Sequence, residues 1–136
     1  MGTENVIILE KENVHRIDRG DIVVVNTDID KINGAMPTPS AFKFAKDEGR
    51  TYNGGGMSIF EKEDDDAYIN AFLNGDNAEF FLNGETKITV YYGGKVKIEY
   101  HLTWEFFEYE GVTIDDMREF VAEYLLKIGK VELIKQ

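Results

Sequence analysis

Carboxylates dominate the chemistry this sequence could perform. Residues 61–85 hold eight Asp and Glu against one Lys, and residues 99–123 hold eight against one Arg, so each stretch carries −7 while the rest of the chain nets +3. In the first stretch Glu61, Glu63, Asp64, Asp65 and Asp66 crowd one connection. In the second, Asp115, Glu119 and Glu123 recur every four residues, which on a helix spaces them about 6 Å apart along one line. A row of carboxylates can imitate the phosphates of nucleic acid to a basic groove on another protein, where complementary charge speeds association and excludes wrong partners. Glu105 leads into this zone, and the nearby Phe107 and Tyr109 fall where a strand alternation breaks down. Aromatic side chains placed there can anchor an interface.

One basic neighbourhood offers different chemistry. Lys43, Lys46 and Arg50 precede the run Asn53-Gly54-Gly55-Gly56. Glycine N–H groups beside cations can cradle a phosphate. This run leads into an expected strand and not a helix N-terminus, so it lacks the dipole of the phosphate-binding loops. It is the basis of the alternative reading, in which Lys43, Lys46, Arg50, Gly54, Gly55 and Gly56 hold a nucleotide-derived anion.

Signals for catalysis are thin. There is no cysteine and there are two histidines, His15 and His101. No nucleophile elbow, phosphate-binding loop or zinc motif accompanies them. His101 falls mid-strand with Glu99, Thr103 and Glu105 on the polar side, which reads as a surface pair. An EF-hand begun at Asn26 would need Gly at its sixth position and Glu at its twelfth, where Lys31 and Pro37 stand. No enzyme activity, cofactor or metal is therefore expected.

These residues need elements to position them. From Lys95 to Phe106 apolar and polar residues alternate, as in a long half-buried strand, expected over 95–107. Residues 86–92 alternate too, with Gly93-Gly94 between. A two-residue turn would set Ile88 opposite Glu99 and mix the faces of the sheet. A three-residue loop, Tyr92-Gly93-Gly94, pairs Ile88 with Ile98, Val90 with Val96 and Lys87 with Glu99. Upstream, Phe72-Leu73-Asn74-Gly75 recurs as Phe81-Leu82-Asn83-Gly84, two Asn-Gly turns of a meander with further strands near 57–61, 67–73 and 78–82. A helix is predicted over 114–128, with Thr113 as N-cap, Asp116 completing a capping box and Gly129 as its stop. Its apolar stripe of Ile114, Met117, Phe120, Val121, Tyr124, Leu125 and Ile128 should lie across the sheet. Thr38 and Pro39 open a short helix near 39–48. The unbroken apolar runs Val6 to Leu9 and Ile22 to Val25 read as interior strands, and Val131 to Ile134 as the last strand.

The fold class expected is α+β: an antiparallel meander packed by one long C-terminal amphipathic helix, in a single domain over residues 1–136. The net charge of −11 would repel nucleic acid or an anionic membrane. No run approaches the roughly eighteen apolar residues of a membrane span, and Met1 to Leu9 lacks the basic start of a signal peptide, so a cytoplasmic protein is expected. The functional expectation is a non-enzymatic acidic protein that blocks a basic, nucleic-acid-binding protein, in the manner of nuclease immunity or phage anti-defence proteins. A homodimer is also expected, because the apolar terminal strands need partners.

Overall fold

Alternating sequence patterns become one antiparallel sheet backed by helices on one face, an α+β architecture, in a computed structural model that describes residues 5–32, 37–52, 77–82 and 86–136. The expected strands 57–61 and 67–73 lie outside those residues. The strands are β1 (Val6–Ile8), β2 (Ile22–Asp28), β3 (Ala78–Leu82), β4 (Thr86–Val90), β5 (Lys95–His101) and β6 (Gly129–Ile134), in the spatial order β1-β6-β2-β5-β4-β3. A 3₁₀ turn covers Lys11–Arg16. The helices are α1 (Ile29–Ile32), α2 (Pro39–Asp47), α3 (Trp104–Tyr109) and α4 (residues 114–128).

The β4–β5 hairpin has the expected register, Ile88 opposite Ile98, Val90 opposite Val96 and Lys87 opposite Glu99. Its loop closes through the Tyr91 N–H donating to the Lys95 carbonyl at 2.8 Å, and Gly93 and Gly94 sit at φ 95° and 89°, a region side chains resist. One face of the sheet, with Val23, Val25, Ile88, Val90, Val96, Ile98, Val131 and Leu133, is buried beneath α2 and α4. Burying one such side chain contributes about 1.5–3 kcal/mol. Tyr100 joins this core fully buried, and its hydroxyl donates to the Pro37 carbonyl at 2.6 Å, so no polar group is stranded.

Both predicted caps are present. Thr38 Oγ1 accepts from the Ala41 N–H with Pro39 at the first helical position, and Thr113 and Asp116 form the reciprocal box at the start of α4. Met117, Phe120, Val121, Leu125 and Ile128 are buried, with Ile114 and Tyr124 half-buried. The helix is not uniform, because Val121–Leu125 forms a π turn between α-helical segments. Gly129 ends it in a way the sequence did not announce. Its φ of −177° is ordinary extended backbone, and glycine is needed because a Cβ there would stand 2.0 Å from the Asn26 carbonyl oxygen.

Two expectations are corrected. First, β5 ends at His101 and not near 107. The strand β2 begins at Ile22 opposite His101, and β4 begins at Thr86 opposite Tyr100, so a longer strand would have run beyond the ladders on both sides. Leu102 instead exchanges hydrogen bonds with Asp21 and Gly20, and the chain turns into α3. Second, Val6 to Leu9 does not form an interior strand: β1 is at the edge of the described sheet with Val6 41% and Ile8 47% exposed, and only Leu9, just past it, is buried in the core. Asn13 Nδ2 donates to the Ile8 carbonyl at 3.2 Å, occupying part of that edge. The run Val131 to Ile134 is paired within the chain's own sheet, since β6 lies between β1 and β2.

Candidate functional site

The turn from β5 into α3 decides how the second acidic zone is presented. At helical spacing Glu105 neighbours both Glu108 and Tyr109, and all three are exposed, as is Glu110 in the following turn. Tyr109 is 87% exposed, the most open of the large apolar side chains described. The carboxylates of Glu105, Glu108 and Glu110 form no ion pair or hydrogen bond among the described residues. Phe107 is only 4% exposed. Two helical steps rotate it about 200° from Tyr109, so it fastens α3 to the core. Of the two expected aromatic anchors, Tyr109 alone is on the surface.

The row along α4 behaves differently. Asp115 is open to solvent but receives Arg118 Nη1 at 3.1 Å, and Arg118 is itself fixed by donating to the Ile17 carbonyl from Nη2 at 2.7 Å and Nε at 3.1 Å. Glu119 and Glu123 both reach Lys46 on α2, Glu123 at 3.4 Å. The hydrogen bond to Glu119 raises the Lys46 ammonium above its ordinary value. Glu123 is held below the usual carboxylate range by its hydrogen bond with Glu119 and by Lys46. The three acids expected to form one free line are thus each met by a cation, Asp115 by Arg118 and the other two by one shared lysine.

That match also removes two cations from the anion-binding alternative. Lys46 is occupied by Glu119 and Glu123, and Lys43 donates to Asp47 at 2.6 Å one turn along α2. Arg50 remains exposed, its guanidinium 5.4 Å from the Phe44 ring. Behind these cations lies an aromatic cluster that sequence spacing did not reveal. Tyr52 meets Phe42, Phe120 and Tyr124 edge-on at centroid separations of 5.5, 6.0 and 4.8 Å. The Tyr52 oxygen accepts from the Thr38 N–H at 3.1 Å, tying the chain after α2 back to that helix's start. Gly54, Gly55 and Gly56 lie outside the described residues, as do Glu61, Glu63, Asp64, Asp65 and Asp66.

His101 lies on the face of the sheet opposite to Tyr100, half-buried, its Nε2 itself buried, 3.9 Å from Glu99 Oε1 and without a hydrogen-bond partner among the described residues. Glu105, expected beside it on the strand, has moved onto α3. Asp28, from the stretch tested for calcium ligation, pairs with Lys95 at 2.8 Å. Among the described residues no three His, Asp or Glu side chains converge to hold a metal, and no helix is long and apolar enough to cross a membrane. Comparison with family models, curated proteins and solved structures finds no match.

Proposed function

We propose that the protein is a non-enzymatic acidic binder that uses the α3 corner, Glu105, Glu108, Tyr109 and Glu110 with the adjacent Asp115, to occupy a basic surface on another protein. The observation that carries this reading is the pairing of an 87% exposed Tyr109 with three carboxylates that have no ion pair or hydrogen bond among the described residues. Exposed aromatic area is costly in water and serves well as an interface anchor, and unmatched charge around it supplies long-range attraction. Glu119 and Glu123 contribute less than expected, because Lys46 cancels part of their field. A groove that normally grips nucleic acid has the required basic character, and blocking it is the proposed action.

The test is affinity capture from a host lysate with the wild type, the triple variant E105Q/E108Q/E110Q and Tyr109→Ala, each eluted by salt. The expected result is a basic protein retained by the wild type, lost from both variants, and unable to bind nucleic acid while the complex persists. Equal retention by the triple variant would overturn the reading.

A further inference from the structure

A second site is independent of the α3 corner. Where α2 ends and α4 makes its π turn, a cleft of about 260 Å³ opens between the helices. Its apolar wall is built from Phe42, Tyr52 and Tyr124, and Tyr124 is braced from behind by stacking on Phe120 at 5.8 Å with 19° between the ring planes. The charged lining is Lys46, Arg50, Lys127 and Glu123, and with Glu119, which shares Lys46 with Glu123, three cations face two carboxylates, or +1 in a chain of −11. Lys46 is committed to its carboxylates. Arg50 and Lys127 have no carboxylate within ion-pair distance among the described residues. Arg50 is nonetheless held in place, its N–H bonded to the Ala45 carbonyl at 2.7 Å and its guanidinium over Phe44.

The π turn, Val121–Leu125, contains both Glu123 and Tyr124, so the helical irregularity coincides with the cleft. Such turns recur at functional sites. A flat ring suits edge-to-face and stacked aromatic walls, and the two cations Arg50 and Lys127 suit a group carrying nearly two negative charges. A volume slightly below that of drug-sized pockets suits a ligand of one base and one phosphate.

We infer that this cleft binds a mononucleotide, with its phosphate on Arg50 and Lys127 and its base against Tyr52 and Tyr124. The intact chain is titrated by calorimetry with AMP, GMP, CMP and UMP, with inorganic phosphate, and with a ten-nucleotide single strand. At least one mononucleotide is expected to bind one-to-one, at least tenfold more tightly than inorganic phosphate and than the strand. The double variant R50Q/K127Q should lose at least tenfold in that affinity at unchanged Tm, while E105Q/E108Q/E110Q, which alters only the α3 corner, should bind as the wild type. No binding at millimolar nucleotide, equal binding of phosphate or of the strand, or an unaltered double variant would each overturn the proposal.

Discussion

Two acidic regions of nearly adjacent sequence end in opposite electrostatic states. At the interface of α2 with α4, Glu119 and Glu123 both meet Lys46 of α2, and the fold cancels part of their charge. At the α3 corner, Glu105, Glu108 and Glu110 meet nothing described and surround an open tyrosine. Both regions look alike as strings of Glu and Asp. The difference lies in what the third dimension brings opposite them, so the density of acids along a chain is a poor guide to where its field points. Carboxylates left unmatched by the fold are the ones free for a partner.

Breaking the most completely matched acid should have the largest effect. Asp21 is 3% exposed and accepts from Lys135 Nζ at 2.6 Å, from the Asp18 N–H at 3.0 Å and from the Gln136 N–H at 3.2 Å, closing the C-terminal end of the sheet. Asp21→Ala strands those donors and should cost about 3 kcal/mol, read from urea unfolding. A loss below about 1 kcal/mol would mean that water replaces the carboxylate freely.

Acid should act on the matched set next. Asp18, hydrogen-bonded by Lys135, and Asp28, hydrogen-bonded by Lys95, are both lowered from their ordinary value of 3.8, and Glu123 is lowered from 4.5. Carboxyls depressed in the folded state stabilise it above their unfolded pKa, and that stability is lost as pH falls through the lower folded values. Stability should therefore be flat down to about pH 5 and decline below about 4.5. A urea midpoint unchanged between pH 5 and pH 3 would contradict these pairings.

Smaller effects separate the two regions directly. Lys46→Met leaves Glu119 and Glu123 facing each other and should lower Tm by no more than about 2 °C, an effect that salt erases, because the pair is exposed. The triple variant E105Q/E108Q/E110Q should leave Tm unchanged or slightly raised, since it removes mutual repulsion and no ion pair or hydrogen bond among the described residues. If it destabilised the fold instead, those carboxylates would have partners and the contrast between the regions would fail.

How much of this was legible depended on how local the determinant was. The hairpin register followed from requiring like faces to meet, and the caps of α2 and α4 followed from Thr38-Pro39 and from Thr113 with Asp116, because both are settled within a few residues. The end of β5 was not legible. Trp104 and Phe106 continue the apolar alternation, and only the lengths of β2 and β4, remote in sequence, decide that no ladder remains for them. That one boundary hid part of the candidate site: Glu105 and Tyr109 were expected to meet a partner, but Glu108 joins their side only at helical spacing. The same non-locality concealed Lys46 as the partner of Glu119 and Glu123, more than seventy residues away. It also concealed the close approach that requires Gly129, whose position suggested a helix stop and whose neighbour is the Asn26 backbone.

The central claim is that the α3 corner, and not the lysine-matched acids of α4, supplies the attractive field. Its most direct test is stopped-flow association with the captured basic protein across a range of salt concentrations, for the wild type, for E105Q/E108Q/E110Q and for E119Q/E123Q. Loss of the corner carboxylates should slow association about tenfold at low salt and flatten its salt dependence, while E119Q/E123Q should lie close to the wild type. Superimposable rates for the wild type and the corner variant, or a larger loss from E119Q/E123Q, would contradict the account.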